Sequence, residues 1–198
     1  MFSRRTDPVA TIFSARSAEI GQDMDNPVLQ AIANRSSVRH YQDRRIERET
    51  IEILLRAAMA APSAKNVQPW RFLVTENRKS MDELAGVLPF GAMLRHAPLA
   101  IMVGADLDTA EAGTPGYDYW KLDCSAATQN LLLAAEAVGL GAVWLGVTPI
   151  PDRIENVGRI LELPVNVAPL CVIALGYPER AAQPKDKYDP GKIHWEKW

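Results

Sequence analysis

Apolar residues recur along the chain in two patterns, one with the period of a helix and one in short continuous runs. Helical spacing predicts five helices, over residues 26–34, 47–60, 77–88, 119–138 and 151–161. Short apolar runs predict four strands, over residues 71–75, 99–103, 142–147 and 170–175. Strands separated by helices indicate an α+β or α/β sandwich.

Three segments depart from this alternation. Residues 130–135 are apolar on nearly every face of their helix, which predicts burial in a core or against a partner chain. The acidic stretch 106–116, with its glycines and proline, predicts a mobile loop. The chain beyond Gly176 is too polar for a core, yet it ends in Trp195 and Trp198. Because tryptophans are costly to expose, we expect this tail to lie across another surface, such as that of a partner subunit.

Composition and charge exclude several classes of protein. The net charge of −2 gives no field that would attract nucleic acid or an anionic membrane. No apolar run approaches the roughly 20 residues that a membrane helix needs. Cys124 and Cys171 lie in apolar segments without metal-ligand spacing, so we expect both to be buried and find no support for a metal site. This cysteine usage fits a reducing compartment and a cytoplasmic location.

The first 25 residues stand apart from the periodic part of the chain. They lack the apolar region of about 7 to 15 residues that a secretory signal requires. We interpret residues 1–25 as a flexible arm without an assigned function, and residues 26–198 as one domain.

The first candidate cluster is Arg35-Ser36-Ser37-Val38-Arg39, directly after the first helix. Two guanidinium groups and two hydroxyls within five residues can form several charge-assisted hydrogen bonds to one phosphate. Arginines are also favoured at a solvated helix end, where they complement the helix dipole. The spacing alone supports both interpretations equally.

Two further clusters consist of loop residues and glycines. The segment from Pro62 to Trp70 brackets small and amide residues between prolines, which suits the edge of a planar heterocycle but also a plain connector. The segment from Gly139 to Gly146 superficially resembles a dinucleotide fingerprint. That fingerprint must follow a strand and open a helix, whereas here a helix ends and a strand begins, so we reject it. Gly146 would let the backbone approach a ligand closely.

The remaining ionisable residues give no catalytic set of their own. Lys185 and Lys187 alone are a solvated pair, and His40, His96 and His194 have no partner in a hydrolase arrangement. If the protein is catalytic, we therefore expect a cofactor to carry the chemistry.

The four clusters, in this order, together with the closing His194-Trp195-Glu196-Lys197-Trp198, resemble the nitroreductase family of FMN-dependent flavoproteins. The resemblance spans about residues 26–198. It implies an α+β three-layer sandwich, with a central mixed sheet flanked by helices. It also implies an intertwined homodimer with an extended C-terminal tail and FMN at the interface.

The resemblance implies a role for each cluster. Arg35, Ser36 and Ser37 match positions that hold the FMN phosphate or ribityl chain, and Lys185 and Lys187 match tail residues that return to the phosphate. The positions matching contacts to the flavin ring are Arg39 near N1 and O2, the loop residues Pro62, Ser63, Ala64 and Asn66 from the other subunit, and Trp144, Leu145 and Gly146 near N5.

The implied activity is hydride transfer from NADH or NADPH, through the flavin, to a nitroaromatic, quinone or similar small planar acceptor by a ping-pong scheme. One alternative is a flavin-cleaving or dehalogenating relative, with a lid over 106–119 in which Glu111, Tyr117 and Lys121 contact a zwitterionic substrate. Another is a non-catalytic FMN-binding redox sensor or flavin carrier.

Overall fold

The computed structural model describes residues 26–181 and 187–198, so the arm assigned to residues 1–25 lies outside the described residues. The helices are α1 (Pro27–Asn34), α2 (Arg48–Met59), α3 (Arg78–Val87), α4 (Leu107–Gly113), α5 (Tyr119–Ala137) and α6 (Pro151–Ile160). The strands are β1 (Trp70–Thr75), β2 (Leu99–Asp106), β3 (Gly141–Gly146) and β4 (Val167–Gly176).

All of the helices and strands predicted from periodicity are present, and their ends shift by three residues at most. Local capping explains part of this agreement. The Asn26 side chain accepts from the N–H of Val28 at 2.9 Å at the start of α1, and Asn77 accepts from the N–H of Ser80 at 3.1 Å at the start of α3. The asparagines therefore set where these two helices begin.

Helix α4 contradicts the mobile loop predicted over 106–116. The Asp106 carboxylate caps this helix by accepting from the N–H groups of Asp108 at 3.1 Å and Thr109 at 3.2 Å. The other Asp106 oxygen accepts from Arg71 at 2.6 Å, which ties the helix to β1. The cap, the bond to Arg71 and the burial of Ala110 stabilise the helix. A polar stretch therefore forms a helix although its composition favours a loop.

The sheet has the strand order β1-β2-β4-β3, and every neighbouring pair is antiparallel. The mixed sheet implied by the resemblance is therefore wrong for the four strands. The physical reason is that the connections from β1 to β2 and from β3 to β4 return to the end of the sheet that they left, whereas the longer connection from β2 to β3 crosses the sheet and joins two strands that are not neighbours. β1 ends at Thr75, which pairs with Ala100 at the start of β2, so α3 makes no crossover. One parallel bridge joins Ser37 to Ala142 beside β3.

Helices cover both faces of the sheet, which confirms the three-layer sandwich. Helices α2 and α5 pack on one face, with Leu54 and Leu131 in the same cluster as Ile101. Helices α3 and α6 pack on the other face, where Met81 joins a cluster with Met102. Adjacent residues of β2 thus serve opposite cores, as the pleat of a strand requires.

Helix α5 is largely but not completely enclosed. Cys124 is fully buried in this helix, and Cys171 is fully buried in β4, as predicted. Burial raises the pKa of both thiols to about 12. Residues 130–135 are all buried or half-buried, as predicted, whereas Leu122 near the start of α5 is 65% exposed. None of the described helices combines the length and apolar character needed to cross a membrane.

Candidate cofactor site

Residues 35–39, here called the basic segment, run beside the edge strand β3. Helix α1 ends at Asn34, and the next residue, Arg35, caps it by donating its N–H to the carbonyl of Ala31 at 3.0 Å. Three residues later the N–H of Val38 donates to the carbonyl of Ala142 at 3.0 Å. These bonds place the basic segment against the first half of β3.

The charges of the basic segment have no ion-pair partner in the part of the chain that the structure describes. Arg35 is half-buried and Arg39 is exposed. Across residues 26–181 and 187–198, neither guanidinium pairs with a carboxylate. Arg39 donates only a long bond of 3.4 Å to the carbonyl of Ser37. Two free cations and two neighbouring serines therefore favour the phosphate interpretation over a purely solvated helix end.

Tyr41 anchors the basic segment to the sheet. The sequence analysis did not identify this residue. Its hydroxyl donates to the carbonyl of Val38 at 2.7 Å and also lies 3.2 Å from the carbonyl of Ala174 in β4. Burial raises the pKa of Tyr41 well above its usual value, and the nearby Arg39 charge opposes this only in part. The hydroxyl thus stays protonated as a donor and holds the segment against the sheet.

Gly141 permits the close approach of the basic segment to β3. A Cβ atom at this position would lie 2.6 Å from Cγ1 of Val38. We expect Gly141→Ala to lower the free energy of unfolding by about 1 to 3 kcal/mol in urea denaturation, because Val38 cannot move without disturbing its bond to Ala142. Gly158→Ala is the matched control, since a Cβ there meets nothing within 4 Å inside α6. Equal stability of Gly141→Ala and wild type would contradict this packing role.

The second half of β3 leaves its outer edge open. The Ala142 carbonyl points away from β4, since it accepts from Val38. Backbone direction alternates along a strand, so the N–H groups of Trp144 and Gly146 also point to the outer edge. Gly146 is exposed, its carbonyl accepts from Arg153 at 3.0 Å, and a Cβ there would meet no atom within 4 Å. This edge therefore offers the backbone N–H of an exposed glycine that has free space above its Cα atom.

The side chains before Gly146 point to opposite cores. Trp144 is half-buried and packs against the core formed with α2 and α5, whereas Leu145 is buried in the core formed with α3 and α6. Because Leu145 lies between Trp144 and Gly146, its own N–H and carbonyl point towards β4, and its contact with the flavin ring stays a prediction.

Residues 62–68, here called the 62–68 loop, adopt a tightly wound conformation. Lys65, Asn66 and Gln68 have φ angles of 50°, 57° and 53°, in the left-handed region that non-glycine residues seldom adopt. The Ser63 hydroxyl accepts from the N–H of Gln68 at 3.0 Å, and Asn66 Oδ1 accepts from Gln68 Nε2 at 2.8 Å. The N–H of Ala64 donates to Asp123 of α5 at 2.9 Å.

The 62–68 loop and the open edge of β3 lie at opposite edges of the sheet. The loop leads into β1, and β1 and β3 are the two edge strands, roughly 14 Å apart at about 4.8 Å per strand. Within one chain, the predicted ring contacts of Asn66 and Gly146 are therefore separated. This arrangement favours a loop that serves the site of a second copy.

The described end of the tail is exposed in the single chain. Lys187 is exposed, and Lys185 lies outside the described residues. Trp195 and Trp198 are 82% and 99% exposed, with Trp198 stacked on His194 at 4.0 Å between ring centroids. The return of the two lysines to a phosphate stays a prediction.

A cavity of about 640 Å³ lies between α4, the start of α5 and the segment after β3. It brings together Glu111, Tyr117 and Lys121, the residues considered for a zwitterionic substrate. Both Glu111 oxygens accept from the N–H of Gly116, at 3.1 and 3.2 Å, and Lys121 pairs with Asp118 at 2.6 Å. The two charged side chains are thus already engaged.

Comparison with known proteins agrees with this geometry. The family model described as "Nitroreductase family" matches residues 32–88 and 87–177. A candidate NADH dehydrogenase/NAD(P)H nitroreductase of Methanothermobacter thermautotrophicus is 47% identical over 171 residues, covering 86% of this chain and 87% of the relative.

Two solved structures are also similar. A candidate NADH dehydrogenase/NAD(P)H nitroreductase of Parabacteroides distasonis has a TM-score of 0.83 at 48% identity, covering 87% of this chain and 99% of the other. A candidate nitroreductase of Desulfovibrio desulfuricans in complex with FMN has a TM-score of 0.73 at 33% identity, covering 87% and 98%. The chain belongs to the nitroreductase family.

Proposed function

We propose that this protein is an FMN-dependent oxidoreductase that takes hydride from NADH or NADPH and passes electrons to a small planar acceptor, such as a nitroaromatic or a quinone. The observation that carries the proposal is the pair of uncompensated guanidinium groups beside the open edge of β3. The FMN in the Desulfovibrio desulfuricans structure and the name of the Methanothermobacter relative support the choice of cofactor and electron donor.

The residues present fit an FMN phosphate. That phosphate carries about −1.5 to −2 charges near neutral pH, which Arg35 and one or two further cations would balance. The hydroxyls of Ser36 and Ser37 lie in the same segment and can donate to phosphate or ribityl oxygens. Lys185 and Lys187 are our further candidates for the same anion.

The residues near the ring have electrostatic rather than acid–base roles. Bound FMN supplies the hydride-accepting chemistry. We assign Arg39 to the pyrimidine side of the ring, where a fixed positive charge favours the electron-rich form. The Gly146 N–H would donate to the ring from the edge of β3, with Trp144 alongside. No side-chain proton donor is required in this scheme.

The nucleotide and the acceptor would bind in turn, which is a ping-pong scheme without a separate nucleotide domain. The cavity is lined by Thr148, which follows Gly146 by two residues, and it would provide space for the acceptor. Its aromatic wall, Tyr117 and Trp120, suits a planar molecule.

We also propose a homodimer with FMN at the interface. Helix α1 has no buried residue, and its apolar side chains Val28, Leu29 and Ile32 are 63%, 40% and 51% exposed. Helix α1 packs on α5, whose Leu122 is also exposed. Apolar groups gathered on neighbouring helices indicate a protein interface. We refer to these four residues as the α1–α5 surface.

Anaerobic mixing of the flavin-loaded protein with NADH or NADPH tests the proposed activity. We expect the flavin absorption band to bleach rapidly with at least one nucleotide and to return when a quinone is added. Oxidised NAD is the control and should leave the band unchanged. A flavin that neither nucleotide bleaches would instead favour a redox sensor or a flavin carrier.

The dehalogenating or flavin-cleaving alternative has weaker support. Glu111 and Lys121 are held by Gly116 and Asp118, so a zwitterion would have to displace both partners. We therefore prefer the reductase, in the cytoplasm, where buried free cysteines such as Cys124 and Cys171 stay reduced.

A further inference from the structure

Asp123 is the one carboxylate that is buried among residues 26–181 and 187–198, with 6% exposure. The other buried polar side chains, Thr114 and Thr128, donate to carbonyls of their own helices. Asp123 instead reaches a segment 59 residues away and accepts from the N–H of Ala64 at 2.9 Å. Because burial of a carboxylate is costly, this single long-range bond needs a physical explanation.

The bond joins α5 to the loop in which three of the positive-φ residues of the described part of the chain lie together, at positions 65, 66 and 68. Lys65 and Asn66, which follow Ala64 directly, have positive φ angles that L residues adopt only when their surroundings enforce them. The bonds from Gln68 to Ser63 and Asn66 link loop residues to one another and shape the loop from within. The Asp123 bond fixes that preformed shape to a rigid helix.

We propose that Asp123 is a positioning residue for the flavin, acting through the 62–68 loop. Its carboxylate fixes the N–H of Ala64, and so sets the direction in which Ser63 and Asn66 present their polar atoms. The inference rests on the proposed function, in which this loop contacts FMN. Residues that orient a cofactor's direct contacts commonly affect its affinity and electronic properties.

Two substitutions at position 123 separate this role from simple packing. Asp123→Asn keeps an oxygen at the position of Oδ1, whereas Asp123→Ala removes the acceptor. We expect Asp123→Ala to weaken FMN binding about tenfold and to shift the absorption maximum of the bound flavin, and Asp123→Asn to restore both within about twofold. Fluorescence titration of the apoprotein and absorption spectra of the flavin-loaded protein measure these effects.

The donor side provides a second variant that leaves Asp123 intact. Ser63 has φ −137° and ψ 154°, the extended conformation preferred before proline, and Ala64 begins a short helical turn. Ala64→Pro therefore removes the N–H while fitting the local backbone. We expect the same spectral shift as in Asp123→Ala, and no further loss of FMN affinity when the two changes are combined.

Thr128→Val is the matched control, because it removes a fully buried hydroxyl from the same helix without touching the loop. It should lower thermal stability but keep the flavin spectrum and affinity of the wild type.

Wild-type affinity and spectrum in both Asp123→Ala and Ala64→Pro would overturn the inference if Asn66→Ala still weakens FMN binding. If Asn66→Ala also binds FMN normally, the loop is not at the flavin and the inference falls with that assignment. Failure of the proposed activity would appear separately, as wild-type flavin that NADH and NADPH leave unbleached.

Discussion

Replacement of Arg35 by alanine is expected to weaken FMN binding by roughly 10- to 150-fold, the equivalent of one charge-assisted hydrogen-bonding group. The side chain has no carboxylate partner among the described residues, so the fold does not depend on its charge. We therefore expect a folded apoprotein with a thermal midpoint close to that of the wild type. Titration of apoprotein with FMN, followed by quenching of flavin fluorescence, gives the dissociation constant.

The control for this prediction is Arg48→Ala, which removes the same charge from the outer face of α2. The Arg48 side chain is 87% exposed and pairs only with Glu52 one turn away. FMN affinity should stay unchanged in this variant. The FMN affinity of Arg35→Lys should lie between those of Arg35→Ala and Arg48→Ala, since lysine keeps the charge but lacks the planar set of donors of arginine. Wild-type affinity in Arg35→Ala would show that the basic segment does not hold the phosphate.

Leu122→Glu is expected to dissociate the proposed dimer and to release most of the flavin with it. The side chain is 65% exposed on α5, and a carboxylate placed there would be desolvated in any interface formed by the α1–α5 surface. In one chain the 62–68 loop and β3 lie at opposite edges of the sheet. A separated subunit would therefore lack the proposed contacts of the loop with the flavin ring. Light scattering after gel filtration measures the mass, and absorbance gives the ratio of flavin to protein.

Phe90→Glu is the control for the effect of a new surface charge. Phe90 is 88% exposed after α3, away from the α1–α5 surface, so this variant should keep the mass and the flavin content of the wild type. A verified Leu122→Glu monomer that retains one FMN per chain would contradict the shared site.

The sequence predicted the helices and strands well, because their apolar spacing is set by burial against the sheet. It failed for α4, whose stability depends on a partner of Asp106 that is distant in the chain, Arg71 of β1. It also failed for strand direction. Alternation of helices and strands does not reveal whether the chain, as between Thr75 and Ala100, returns to the end of the sheet that it left.

The candidate site was predictable only where its residues are adjacent in sequence. The basic segment and the stretch ending at Gly146 were found in this way, and the structure brings both to β3. Tyr41 and Asp123 were missed because their contacts, to Ala174 and Ala64, cross 133 and 59 positions of the chain. One signal was nevertheless present: Asp123 is a charged residue among the apolar positions of α5, the longest of the described helices.

The half-covered edge of β3 has a consequence for handling the protein. The basic segment shields the strand at Ala142, whereas the backbone N–H groups of Trp144 and Gly146 point outwards. Bare strand edges recruit extended segments of other molecules and seed aggregates. A flavin bound along that strand would cover its edge, so removal of FMN would also expose a surface that promotes aggregation. Storage with excess FMN would therefore preserve solubility as well as activity.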